Sequence, residues 1–107
     1  MIDHHQKIED LIKSEPIFLF MKGDPSNPQC GFSALAIAIL KKLGVTFGSF
    51  DVLRDPEIRQ AIKDYSNWPT IPQLFIKGKF IGGSDILQEL YESGDLQKMV
   101  ESFKDHS

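Results

Sequence analysis

The amino-acid sequence predicts an α/β fold: a mixed four-stranded sheet with helices on both faces. Three observations carry this. Compact apolar runs alternate with segments whose apolar residues recur at helical spacing. The first two runs bracket a helical segment, as in a βαβ unit, and the stretch QLFIKGKFIGG reads as a hairpin turning at Lys77 and Gly78. The order α-β-α-β-α-β-β-α-α is most simply one sheet covered on each side.

Each element has its own local reason. In DHHQKIEDLIKS, Ile8, Leu11 and Ile12 share one helical face, and Pro16 ends that helix near Ser14. PIFLFM is a short apolar run followed by the turn-rich KGDPSNP, so it reads as a buried strand feeding a loop that delivers Cys30. From Gly31 the spacing of Leu35, Ile39, Leu40 and Leu43 is helical, with Gly44 as the stop. VTFGSFDV alternates as a second strand. In RDPEIRQAIKDYS, Asp55 can cap, Pro56 suits the first helical position, and Ile58, Ala61, Ile62 and Tyr65 form the apolar face. Arg59 and Lys63, four apart, then fall together on the solvent side. After the hairpin, SDILQELYESGDLQKMVESF gives two short helices broken at Gly94, the second with Leu96, Met99, Val100 and Phe103 on one face.

At 107 residues, 41% hydrophobic and 25% charged, the chain fits a single domain spanning 1–107. A net charge of -3 with scattered basic residues argues against a general nucleic-acid binder, which needs a basic stripe. No apolar run approaches the roughly 20 residues that span a bilayer, and the N-terminus resembles neither a secretory nor a transit signal. The expected partners therefore include neither nucleic acid nor membrane, and the expected compartment is the cytoplasm. A lone cysteine suits a reducing compartment, because it can form no internal disulfide.

That cysteine, Cys30, sits in NPQCGFSA at a loop-to-helix junction, with Ser33 where the second thiol of a Cys-X-X-Cys pair would stand. Thiolate is the nucleophile and the metal ligand, and a helix N-terminus favours it. A helix terminus supplies about 0.3 to 1 kcal/mol, while lowering a pKa by one unit takes about 1.4 kcal/mol. A nearby cation is thus expected to help, and Lys22, at the end of the first strand, is the best placed. The plain alternative is an inert buried cysteine; the junction favours the reactive reading. In WPTIPQLF, the residue before Pro72 is biased to extended geometry, so Ile71 would present its backbone at a strand entrance. Spacing alone favours a trans Ile71–Pro72 bond, since only about 5 to 6% of X–Pro bonds in folded proteins are cis.

KGDPSNPQCGFS, WPTIPQLF and GGSD, together with IRQAIKDYSNWPT, closely resemble the monothiol glutaredoxins with a CGFS active site, and the resemblance runs through nearly the whole chain. It implies a thioredoxin fold with a cis-proline facing the cysteine. It further implies a [2Fe-2S] cluster held between two chains with two glutathione molecules, transfer of that cluster to acceptor proteins, and pairing with BolA-like proteins. Ligand arithmetic agrees: such a cluster commonly takes four thiolates, one chain offers one, and a homodimer still needs two from outside. By the same resemblance, Lys22 and Arg59 would hold the glycyl carboxylate of glutathione. Ile71 would pair its backbone with the cysteinyl unit. Ser84 and Asp85, opening a helix, would take the γ-glutamyl end, and Gly82 and Gly83 would let the ligand approach the backbone.

Each of these residues has a plain alternative. Arg59 and Lys63 could form a solvated face, Ser84 or Asp85 a simple cap, and the glycines a hairpin exit. Phe32 would pack beside the cluster site and Trp68 within the core or loop. His4 and His5, adjacent on a helix, do not face a common metal and read as a solvated N-terminus. The rival function from another class is an oxidoreductase that removes glutathione from mixed disulfides by attack of Cys30.

Overall fold

Alternation along one short strand divides the molecule into two cores. In the computed structural model, which describes residues 3–103, the strand β1 (Ile17–Met21) is buried along its whole length. Ile17, Leu19 and Met21 belong to one buried cluster, Phe18 and Phe20 to the other, as the period of two requires. The ends of the expected 1–107 domain lie outside the described residues.

The central sheet has the order β4-β1-β5-β6, formed by β4 (Gly48–Asp51), β1, β5 (Gln73–Ile76) and β6 (Lys79–Gly82). β1 runs parallel to β4 and antiparallel to β5, and β6 is antiparallel to β5, so the sheet is mixed as predicted. One face carries α2 (Gly31–Leu43), α4 (Ser84–Ser93) and α5 (Asp95–Val100) on an aliphatic cluster that includes Leu40, Leu74, Leu87, Leu96 and Val100. The other carries α1 (His4–Ser14) and α3 (Pro56–Ser66) on Ile8, Ile12, Ile58, Ile62 and the rings of Phe18, Phe20 and Phe75.

The helix boundaries follow the sequence signals. Gly44 ends α2 in the left-handed conformation (φ 69°), and Asp55 caps α3 by accepting from the Ile58 N–H at 3.1 Å, with Pro56 at its start. The hairpin turns at Lys77 and Gly78, both at positive φ (52° and 76°), the requirement of a two-residue type I′ connection.

Four details differ from the sequence reading. KGDPSNP contains a small hairpin rather than a plain loop, β2 (Gly23–Asp24) paired with β3 (Asn27–Pro28), because Asp24 Oδ1 accepts from both the backbone and hydroxyl of Ser26 and from the Asn27 N–H. The strand expected over VTFGSFDV shrinks to Gly48–Asp51, since Asp51 accepts from the Leu53 N–H and winds Val52–Arg54 into a 3-10 turn. Met99 stays 41% exposed, outside the apolar stripe formed by Leu96 and Val100. His4 is not simply solvated: its Nε2 lies 2.6 Å from Glu57 on α3, while His5 pairs with Glu9 on its own helix.

Candidate functional site

Cys30 is the N-cap of α2, extended at φ -152° and ψ 155°, with its side chain turned back over the first helical turn. The Ser33 N–H donates to Cys30 Sγ at 3.3 Å, and the Ser33 hydroxyl lies 3.3 Å from the same sulfur. Ser33 is itself completely buried, and its Oγ accepts from the Lys22 N–H at 3.0 Å. With that acceptor role filled by Lys22, the hydroxyl proton remains free to point at a thiolate. As a thiol, Cys30 donates to Ser33; as a thiolate, it accepts.

Partial burial acts most strongly on Cys30 and pushes its pKa up, but the hydrogen bonds from the Ser33 hydroxyl, the Ser33 N–H and the Phe32 N–H together outweigh it. The charge of Lys22 adds the last contribution, and the balance leaves the thiol below its ordinary value. Thus the help expected from a cation comes mainly from a serine. The sequence reading took Ser33 only for a missing second cysteine. The available signal was its place three residues after the helix cap, where a side chain can meet the capping group.

Next to this thiol opens a pocket of about 380 Å³ lined by Lys22, Phe32, Arg59, Lys63, Pro69, Thr70, Ile71, Ser84 and Asp85. All five residues predicted to hold glutathione lie in this one wall set. Cys30 borders it through Lys22 and Phe32 rather than lining it. Three cations against the single carboxylate of Asp85 give the pocket an excess of positive charge. Arg59 Nε is buried without a partner among the described residues. Arg59 and Lys63, both half-buried, line the pocket together with the 69–71 segment rather than forming a purely solvated face; Lys63 was missed although its i+4 spacing from Arg59 put it on the same side.

The remaining walls are backbone. Ile71–Pro72 is cis, as the resemblance implied and spacing alone did not. The ladder between β5 and β1 begins at Gln73, so Ile71 stands just before it, 7% exposed. At the start of α4 the cap is Gly83 and no side chain caps the helix, so neither Ser84 nor Asp85 is spent as a cap. The glycines before them pack closely against neighbours: a Cβ at Gly82 would clash with Ile86 at 2.6 Å, and one at Gly83 would press on Trp68 Nε1 at 3.1 Å. Trp68 packs on Phe80 with ring centroids 5.6 Å apart. Phe32, 61% exposed, forms the outer lip.

The glutaredoxin family pattern matches residues 17–81, more than half of the chain. A monothiol glutaredoxin of Synechocystis sp., ycf64-like, is 54% identical over 95 residues, which make up 89% of each chain. The chain belongs to the monothiol glutaredoxins. Longer glutaredoxins also match, and this chain spans only 20% to 29% of their length. Among solved structures, reduced poplar apo GrxS14 superposes with a TM-score of 0.81 at 46% identity, covering 92% of this chain and 90% of that one. A buckwheat glutaredoxin-glutathione complex gives 0.82 at 26% identity, covering 92% and 88%. The glutaredoxin is thus of thioredoxin fold. Among its described residues no helix is long and apolar enough to cross a membrane.

Proposed function

We propose that this monothiol glutaredoxin carries a [2Fe-2S] cluster as cargo, in a homodimer completed by two glutathione molecules, and hands it to apo iron-sulfur acceptor proteins. The observation that carries the reading is the coincidence of the only thiol in the chain, at the N-cap of α2, with a positively charged pocket beside it. The donor set fits a shared cluster and not a private one. Among the described residues no three His, Cys, Asp or Glu side chains gather as a metal site, so further thiolates must come from a second copy and from a small thiol. Glutathione suits the pocket: Lys22 and Arg59 face its glycyl carboxylate, Ile71 offers backbone pairing to its cysteinyl unit, and the uncapped α4 start takes its γ-glutamyl carboxylate, with Asp85 for the ammonium group. A relative solved as a glutathione complex shares this fold. A BolA-like protein is proposed as a partner at the same exposed face, and the cytoplasm as the compartment.

Anaerobic reconstitution tests this. Holo protein should contain two chains, two glutathiones and one cluster, and Cys30→Ser should lose it entirely. Stable cluster binding by Cys30→Ser, or by wild type stripped of small thiols, refutes the reading.

The lowered Cys30 pKa also suits the oxidoreductase reading. There the thiolate attacks the glutathione sulfur of a mixed disulfide and releases the protein thiol; a second glutathione then frees Cys30 as glutathione disulfide departs. The visible absorption of protein purified without oxygen separates the two, since only the carrier is coloured.

A further inference from the structure

We propose that Gln73 is a positioning residue that holds the Thr70–Ile71 rim of the ligand pocket; in assigning the rim to glutathione this rests on the function proposed above. Gln73 is the first residue of β5, paired opposite Phe20 of β1, and is completely buried. Its amide Nε2 donates to two backbone carbonyls, Trp68 at 3.0 Å and Thr70 at 3.1 Å. Both N–H groups are therefore used on one short segment, and the amide orientation is set, because the flipped form would put an oxygen against two carbonyl oxygens.

The residue type makes sense only through those bonds. Every other residue of β5 is a buried apolar side chain, and Gln73 Oε1 has no partner at all among the described residues. A leucine or methionine would fill the position without that unfavourable burial of an unpaired acceptor. What it could not do is tether the 68–72 segment. This segment precedes the ladder with β1, contains two prolines that donate no hydrogen bond, and yet supplies Pro69, Thr70 and Ile71 to the pocket. At its other end the Trp68 N–H donates to the Lys63 carbonyl at 3.1 Å, on the helix that carries Arg59 and Lys63. Gln73 thus fixes, from inside the sheet, the spacing between the cationic wall and the backbone wall.

The test uses Gln73→Met, of similar length without donors, and Gln73→Glu, which sets an acceptor against both carbonyls. Titration with reduced glutathione should give roughly tenfold weaker binding for Gln73→Met, because the rim is then no longer pre-ordered and must be ordered on binding, and a larger loss for Gln73→Glu. The iodoacetamide alkylation rate of Cys30 should stay at its wild-type value. A lowered unfolding temperature with wild-type glutathione affinity would reduce Gln73 to a structural role and overturn the proposal. Should neither variant fold, wild type decides: the Gln73 side-chain amide protons should resist solvent exchange as β5 backbone amides do and shift on adding glutathione, and rapid exchange would overturn it. Ligand-free amide exchange separates this from the reading it rests on. Faster exchange at Thr70 and Ile71 in Gln73→Met, in a protein whose wild type ignores glutathione, supports the tether and removes the ligand.

Discussion

Cys30 and the groups that tune it lie almost together in sequence, at one helix start, whereas the pocket beside them is assembled from Lys22 after β1, Phe32 of α2, α3, the 68–72 segment and α4. The first region is a local device: a cap, a hydroxyl three residues on, and two backbone N–H groups. The second exists only once the sheet has brought distant pieces to one edge. The difference teaches that reactivity and ligand affinity are separable here, so substitutions should move one and spare the other.

Arg59→Gln should give the largest divergence. Losing a charge-assisted bond to a carboxylate costs about 1.5 to 3 kcal/mol, so glutathione should bind at least about tenfold more weakly, while the alkylation profile of Cys30 against pH stays in place. Equal glutathione affinity in the variant would take Arg59 out of the pocket's function.

Ser33→Ala attacks the other region. The Cys30 pKa should rise and alkylation at neutral pH should slow several-fold, with glutathione affinity little changed. The same change leaves the Lys22 N–H unpaired, so stability should fall by about 1 to 3 kcal/mol, read by urea unfolding. There is also a pH signature. Because the folded thiol lies below its ordinary value, its ionisation stabilises the fold above the unfolded thiol's pKa, and that contribution is lost as pH falls through the folded value. Wild type should therefore gain stability relative to Cys30→Ser as pH rises from the folded thiol's pKa toward the higher unfolded one, and a flat difference would contradict the hydrogen-bonded thiolate.

Lys22→Gln is the sharpest discriminator and the smallest in its effect on the thiol. Its backbone N–H, which orients Ser33, survives the substitution, and its charge ranks below the hydrogen bonds. A small rise in the Cys30 pKa with a clear loss of glutathione affinity is expected. A thiol shift as large as that of Ser33→Ala would show that charge, not the serine, sets reactivity.

By itself, the amino-acid sequence determined the alternating elements, the caps at Asp55 and Gly44, the turn at Lys77–Gly78 and the placement of Cys30 at a helix start. All of these depend on neighbours within one turn or one strand, where periodicity and backbone preference act directly. Lys22 and Ile71 stood out by their places at a strand end and before Pro72, but Arg59, Ser84 and Asp85 were legible only through the resemblance to a family, since no local rule distinguishes a pocket cation from a solvated one or a ligand-binding helix start from a simple cap. What tertiary structure alone decided was how those pieces meet. It set Arg59 and Lys63 on the wall of one pocket with distant residues, and buried Ser33 so that Lys22 could orient its hydroxyl. It also enclosed Gln73, an amide amid apolar strand residues, where its amide donates to the carbonyls of the segment it restrains. Such roles depend on partners distant in sequence or on burial, and neither leaves a period in the chain.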